Sequence, residues 1–290
     1  EGLATLVLAS AACGRPDLDL PFLDPPRDHA VQAARAHLNA LGAVDADGAI
    51  TPRGERLFGM PLDARLGRLL VEGHSKGQSA VVVPLVAALS GTRRMFRARP
   101  ESPEDDLRSA GCDAVALVRA VTEGQARQHA LDPGALEEAR SAVRRLWRVL
   151  GARAPQRGPV TIDRRALAKT LLAAWPDAAH VVRRRKRAVA WSNGGTELEL
   201  GRASAVDEDK AGRAIVLDSL ALPVSHRQNP LVITAAMPVP PRWLVDAGLG
   251  RRRLAAPLVE RGRVMARVEI VHAGRVLATD ETRPHGEMLR

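Results

Sequence analysis

Five consecutive cations, from Arg183 to Arg187, form the longest basic run in this sequence, and three residues separate the run from Trp191. A guanidinium group fits phosphate oxygens with two hydrogen bonds, and an indole ring can stack on an unpaired base. The pattern therefore predicts contacts to a single-stranded nucleic acid, although a solvated charge run explains the same residues. The candidate contact residues are Arg183, Arg184, Arg185, Lys186, Arg187 and Trp191.

The charge of the whole chain points in the same direction. Its 290 residues include 43 Lys and Arg against 33 Asp and Glu, a formal net charge of +10, and Arg251-Arg252-Arg253 forms a second basic cluster. Phosphate contacts by such residues release condensed counterions, which favours polyanionic partners. The excess is mostly arginine, which also fits a G+C-rich genome, so the charge alone identifies no partner.

Aromatic residues are scarce, with no Tyr, three Phe and four Trp. Trp147 and Trp175 follow apolar helical patterns, which predicts that both rings lie in the core. Trp191 and Trp243 remain as candidates for stacking on bases. Any broader stacking surface would have to come from guanidinium planes.

The sequence lacks the patterns expected of a nucleotide-hydrolysing or other catalytic site. No G-x-x-x-x-G-K-[ST] loop occurs, and the segment 207–210 has Lys where a D-E-x-H box has His, so we expect it to be solvated surface. Cys13 and Cys112 are isolated, and the eight His residues are scattered, so zinc and disulfides are not expected. We predict no active site, metal or cofactor in this segment, which leaves open whether a longer parent protein is an enzyme.

The first sixty residues predict short helices followed by a small hairpin. Asp24-Pro25-Pro26 is typical of a helix start, and apolar residues at helical spacing continue to Leu41, just before Gly42. Two short apolar runs then flank an Asp-Gly turn within residues 43–51. Helices that lead into a small hairpin indicate a winged-helix domain, to which we assign residues 1–60.

Residues 61–155 show a purely helical pattern. Leucines within 66–70 mark one helix, and an apolar helix is predicted from Ser79 to Leu89. The segment 102–105 resembles a capping box ahead of a third helix, and Asp132-Pro133 begins a fourth that reaches Leu150. The pattern predicts an α-helical bundle over residues 61–155.

The remaining residues, 156–290, favour β-structure after one further helix at roughly 163–174. Asn193-Gly194-Gly195 is a strong turn signal between two strand candidates. The predicted fold class is therefore α+β: a winged helix, an α-helical bundle, and a β-rich C-terminal domain that is OB-like or a small barrel. The predicted strands are 188–191, 197–200, 215–220, 231–236 and 264–271.

A series of short motifs lies between Leu20 and Leu70. They are Leu23-Asp24-Pro25-Pro26, Leu41-Gly42-Ala43, Thr51-Pro52-Arg53-Gly54 and Pro61-Leu62-Asp63-Ala64-Arg65-Leu66. The series resembles the segment that follows the two motor domains in bacterial ATP-dependent RNA helicases of the DEAH superfamily, most closely the HrpB type. Residues 171–177 and 192–195 match the same type, whereas Cys13-Gly14 and Ala178-Ala179-His180 depart from its usual Trp-Gly and Ala-Arg-Arg.

The resemblance implies that the chain is the C-terminal region of such a helicase, with a winged helix, a helical ratchet and a C-terminal domain. It would pack on RecA-like motor domains absent from this chain and guide single-stranded RNA, or DNA, in ATP-driven 3′ to 5′ movement. ATP and Mg²⁺ are implied for the parent helicase alone. Asp63, Arg65 and Arg68 would fix domain packing rather than contact RNA. Since residue 1 is Glu rather than Met, we expect part of a longer chain. We also expect a cytoplasmic protein that is not bound to a membrane.

Two other functions agree with the same residues. An ATP-independent nucleic-acid-binding or regulatory protein built on a winged helix would prefer duplexes and act without motor domains. A purely structural segment that docks on a partner would show no appreciable RNA affinity at low salt. Measuring RNA binding by the chain separates these functions.

Overall fold

A computed structural model of the chain describes residues 3–97, 102–185, 188–222, 231–260 and 263–282. Within them the helices come first, and all the strands follow residue 178. The helices are α1 (Ala4–Ala12), α2 (Asp28–Ala40), α3 (Pro52–Phe58), α4 (Ala64–Ser75), α5 (Ser79–Leu89), α6 (Asp113–Thr122), α7 (Pro133–Val149), α8 (Arg164–Ala174) and α9 (Pro241–Asp246). The strands are β1 (Ala179–Arg185), β2 (Ala188–Ser192), β3 (Glu197–Leu200), β4 (Arg213–Ala221), β5 (Leu231–Pro238), β6 (Arg251–Glu260), β7 (Arg263–His272) and β8 (Arg275–Thr282).

The helix predicted to begin at Asp24 begins four residues later. Residues before a proline favour extended backbone, and Arg27 is still extended, with φ −66° and ψ 136°. The predicted hairpin that follows α2 is reduced to a single antiparallel bridge, Val44 to Ile50. Winged-helix architecture for this region stays a prediction.

Glycine in the Thr51-Pro52-Arg53-Gly54 motif lets α3 approach the preceding segment closely. The Thr51 hydroxyl caps the helix by accepting from Gly54 N–H at 3.0 Å. A Cβ atom built on Gly54 would lie 2.0 Å from the carbonyl oxygen of Ala43. Only glycine therefore fits at this contact, which packs α3 beside a core that includes Leu38 and Leu57.

The helices α4 to α7 form the predicted bundle, with α5 packed against α4, α6 and α7, and α8 packs against α4. One predicted helix is wrong in its extent: the segment after Ser102 forms two 3-10 helices, 103–105 and 107–110. Gly111 then adopts a left-handed conformation with φ 61°, which ends the segment, and α6 begins only at Asp113. Trp147 and Trp175 are buried in the bundle core, as predicted.

Five strands close into a small barrel in the order β1-β2-β3-β5-β4, which is completed by pairing of β4 with β1. Neighbours are antiparallel except for β3 and β5. The prediction of a small barrel is confirmed, while its OB-like character stays a prediction. All five predicted strands are present, but β1, β6 and β8 were missed.

The strands β6, β7 and β8 form a separate antiparallel sheet with β7 at its centre. It is joined to the barrel by hydrogen bonds from His272 to the Ala179 carbonyl at 3.0 Å and from Arg213 to the Val276 carbonyl at 3.1 Å. One apolar core continues from α4 through the bundle into β4 and β5. The domain limits 1–60, 61–155 and 156–290 stay predictions. Among the residues the structure describes, no helix is both long and apolar enough to cross a membrane.

Candidate nucleic-acid interface

Arg183, the first residue of the basic run, lies in β1 and is already engaged by the protein. Its Nη1 is 3.0 Å from Oε1 of Glu197, and its Nη2 donates to the Ala273 carbonyl at 2.9 Å. The side chain is about one-third exposed. Arg183 therefore joins the barrel to the turn between β7 and β8, and two of its donors are not free for a phosphate.

Arg184 points to another part of the barrel. Its Nη2 donates to the Glu208 carbonyl at 2.8 Å, and its Nη1 lies 3.4 Å from Oδ1 of Asp209. About half of the side chain remains exposed, so Arg184 could contact a phosphate on its open side. The Arg185 side chain, Lys186 and Arg187 lie outside the described residues, and their predicted role stays a prediction.

Trp191, predicted to stack on a base, does not fit that role. Its ring is completely buried in the barrel core with Val182, Leu198 and Ala214. The indole N–H donates to Oε1 of Glu208 at 3.1 Å. Because no face of the ring is exposed, stacking would require the barrel to open. Glu208, expected to be solvated, is instead the buried indole's partner.

The second basic cluster, Arg251 to Arg253, lies on an edge strand. Among the strands that the structure describes, β6 pairs only with β7, and all three side chains are exposed. Arg253 pairs with Glu269 at 2.6 Å, whereas Arg251 and Arg252 form no side-chain hydrogen bond or ion pair with another described residue. Exposed cations discourage pairing of an edge strand with another strand, and here Arg251 and Arg252 also present their guanidinium groups to a polyanion.

Arg65, from the Pro-Leu-Asp-Ala-Arg motif, connects the bundle to the barrel. Asp63 caps α4 by accepting from Leu66 N–H at 2.9 Å, which places Arg65 in the first turn. The Arg65 guanidinium lies 4.0 Å from the ring centroid of Trp175. In return, the Trp175 indole N–H donates to the Arg65 carbonyl at 2.8 Å. The prediction that these motif residues fix packing agrees with this geometry.

Arg68, one turn further along α4, connects two other elements. It donates to the Ala40 carbonyl at 2.6 Å and to the Ala173 carbonyl at 3.0 Å. The first contact reaches the end of α2 and the second reaches the end of α8. Cations near helix C-termini are favourable because they complement the helix dipole. Arg68 thus holds the N-terminal helices against the bundle.

A cleft of about 250 Å³ lies where the N-terminal helices, the bundle and the barrel meet. Its polar lining includes His37, Arg65, Asp177, His180 and Asp218. Burial lowers the pKa of His180 and of His37, so both rings are neutral at physiological pH. Within the described residues, no group of three or more His, Cys, Asp or Glu is placed to hold a metal ion. Sequence reasoning missed this cleft, because its residues come from segments far apart in the chain.

We expect His180 to make the stability of the protein depend on pH. Its pKa is lowered below 6.5 by burial, partly opposed by its bond to the Ala178 carbonyl and by Asp177. As pH falls through 6.5, the unfolded chain binds a proton that the folded protein refuses, so the free energy of unfolding falls. His180→Asn, which keeps a donor for Ala178, should flatten this dependence between about pH 7 and 5. Urea unfolding at several pH values measures it, with the exposed His29→Asn as control.

No protein-family model matches the chain, but several helicases do. It is 31% identical over 111 residues to the pre-mRNA-splicing factor ATP-dependent RNA helicase prp22 of Schizosaccharomyces pombe, covering 38% of this chain and 10% of that protein. It is 32% identical over 99 residues to the probable ATP-dependent RNA helicase DHX34 of Homo sapiens, covering 34% and 9%. The chain thus matches about a tenth of the length of these curated relatives.

The fold has a solved counterpart. It is similar to the crystal structure of the E. coli DExH-box NTPase HrpB, with a TM-score of 0.64 and 18% identity, over 99% of this chain and 31% of that one. The identity is too low to carry more than the fold. The resemblance inferred from the motifs is confirmed: homologues of this chain are DEAH-box RNA helicases, HrpB is a structural neighbour, and the partial coverage fits a C-terminal region.

Proposed function

We propose that this chain is the accessory C-terminal part of an ATP-dependent 3′ to 5′ RNA helicase, packing on RecA-like motor domains and guiding single-stranded RNA. The observation that carries the proposal is the 31–32% identity of about a third of the chain to two ATP-dependent RNA helicases, and the fold shared with HrpB agrees with it. A segment of this kind without a P-loop needs a motor elsewhere in the polypeptide. ATP and Mg²⁺ would act in that motor, in the cytoplasm.

The charge distribution supports RNA as the ligand. The net charge of +10 gives a long-range attraction for a phosphate backbone. Arg251 and Arg252 are exposed on the open edge of β6 and form no ion pair with another described residue. We assign these two side chains, with the open side of Arg184, to backbone contacts.

The salt dependence of RNA binding tests this assignment. For a 12-nucleotide oligouridylate, log affinity should fall against log salt with a slope of roughly −2 to −4, as expected for three to five phosphate contacts. The double variant Arg251→Ala/Arg252→Ala should make the slope less steep by about 1.4, since each contact to a single strand contributes about 0.7 to its magnitude. Fluorescence anisotropy at several salt concentrations measures the slopes.

Two further variants make the result specific. Arg27→Ala with Arg56→Ala removes the same charge from exposed positions next to α2 and on α3, and should change the slope much less. Lys186→Ala with Arg187→Ala tests the predicted basic run while leaving Arg183 and Arg184 intact. Equal slopes for the Arg251/Arg252 variant and the unmodified chain would remove β6 from the interface.

A further inference from the structure

The cleft between the N-terminal helices, the bundle and the barrel has unpaired hydrogen-bond acceptors. The carboxylate of Asp177 is exposed and makes no bond with another described residue. His180 is only 4% exposed, its Nδ1 bonds the Ala178 carbonyl at 2.9 Å, and its Nε2 has no partner. Since Nδ1 carries the proton, Nε2 can only accept. Oδ2 of Asp218 accepts from the Thr234 hydroxyl at 2.5 Å, and Oδ1 accepts no hydrogen bond from another described residue.

The donors around the cleft are largely occupied. Both terminal nitrogens of Arg65 donate to carbonyl groups of β4, at 2.9 and 3.2 Å. The Asn193 amide donates to the Asp177 carbonyl at 2.9 Å, and its oxygen accepts from the backbone of Gly195 and Thr196. A ligand that pairs with the free carboxylate oxygens of Asp177 and Asp218 must therefore bring donors of its own.

The charge and the apolar lining of the cleft restrict the chemical class of its ligand further. Two carboxylates face one guanidinium, and burial keeps the two imidazoles neutral, so the cleft disfavours phosphate although the chain as a whole is basic. Leu198, Val216 and Leu231 add apolar wall. An apolar wall beside unpaired carboxylate oxygens suits a neutral flat ring with donors along one edge.

Among the RNA bases, guanine has the matching edge. Its ring N1–H and its adjacent amino group are parallel donors that one carboxylate can accept together. Uracil places carbonyl groups on both sides of its N–H, and adenine and cytosine place a ring acceptor beside the amino group. We propose that the cleft binds a guanine base of single-stranded RNA, with Asp177 accepting from N1–H and the amino group; this inference rests on the proposed function.

Single-base substitution in a bound RNA tests the proposal. The unmodified chain is titrated with a 12-nucleotide oligouridylate, the same strand with one central guanosine, and the same strand with inosine, which lacks the amino group. The guanosine strand should bind about tenfold more tightly than the other two, as for other bidentate base contacts. Asp177→Asn should remove this preference, because its amide nitrogen would face the guanine amino group.

The variants are chosen so that folding does not confuse the result. Asp177 is exposed and has no side-chain partner among the described residues, so Asn should be tolerated there. Asp47→Asn, at an exposed turn position, is the matched control and should keep the preference for guanosine. Urea unfolding of both variants confirms that each is folded.

Each other outcome has a definite meaning. Binding of all three strands with equal affinity, or a guanosine preference that survives Asp177→Asn, overturns the guanine site and leaves the proposed function standing. Absence of binding to any strand overturns both. The unmodified chain is also titrated with an arginine-rich peptide. If it binds the peptide, shows no preference for guanosine, and loses peptide binding in Asp177→Asn, the guanine site is overturned and the cleft is assigned to a protein partner.

Discussion

Arg65→Ala should lower the free energy of unfolding by about 3 kcal/mol. The side chain donates to the carbonyl oxygens of Leu217 at 2.9 Å and Val216 at 3.2 Å, and it lies over the ring of Trp175. Hydrogen bonds from a charged group contribute about 1.5–3 kcal/mol each, and a cation–π contact about 0.5–1 kcal/mol. Because the side chain borders an open cleft, water replaces part of what is lost.

Two further variants show whether the loss of stability depends on the guanidinium group and on its position. Arg65→Lys keeps the charge but not the planar fork, so it should lose at least half as much stability as Arg65→Ala. Arg56→Ala, at an exposed position on α3, should stay within about 0.5 kcal/mol of the unmodified chain. Urea unfolding followed by circular dichroism compares them. Equal stability of Arg65→Ala and Arg56→Ala would contradict a joining role for Arg65.

Asp113→Ala should be the most destabilising single change, at about 3–5 kcal/mol. Its buried carboxylate accepts from the Ser204 hydroxyl at 2.6 Å, from Ala205 N–H at 2.7 Å and from Ala236 N–H at 2.8 Å. Burial raises the pKa of the carboxyl, and these three bonds oppose the shift. Truncation would leave three donors without a partner in a buried place.

The pattern of substitutions distinguishes lost acceptors from lost charge. Asp113→Asn keeps one oxygen and places a donor against one of the two backbone N–H groups, so it should cost less than Asp113→Ala but clearly more than nothing. Asp47→Ala, an exposed carboxylate, should be nearly neutral. Thermal and urea unfolding measure the series. Similar stability of Asp113→Ala and Asp47→Ala would show that the three donors find other partners.

The helical part of the fold was largely predictable because it depends on local signals. Helix α5 runs from Ser79 to Leu89 as its apolar run predicts, and Asp132 caps α7 at 2.8 Å. The failure after Ser102 was also local, since apolar spacing there continues through a left-handed glycine that stops the helix. Periodicity recognises faces of helices but does not see such a stop.

The arginine-rich strands β1 and β6 were missed for a different reason. A strand is recognised by alternation of apolar and polar residues, and the run in β1 hides that alternation. Arg183 is held by Glu197 and by the Ala273 carbonyl, and Arg253 by Glu269. These partners come from other strands, so they stabilise the arginines only after the sheets have formed.

The candidate site was the least predictable part. The sequence singled out Trp191 for its type and its neighbours, but the closed barrel buries it. Asp177 and Asp218 drew no functional interpretation, although a family motif includes Asp177. They line one cleft only because β1 pairs with β4, which is a tertiary fact that no local pattern contains.

The relative affinity of the chain for single-stranded and duplex RNA is the most direct test of the proposed function. Titrations with a 12-nucleotide single strand and a blunt 12-base-pair duplex at the same low salt concentration suffice. A helicase segment that guides a translocating strand should bind the single strand more tightly. A preference for the duplex would favour a winged-helix regulator, and no binding to either would favour a structural docking segment; each would contradict the proposed function.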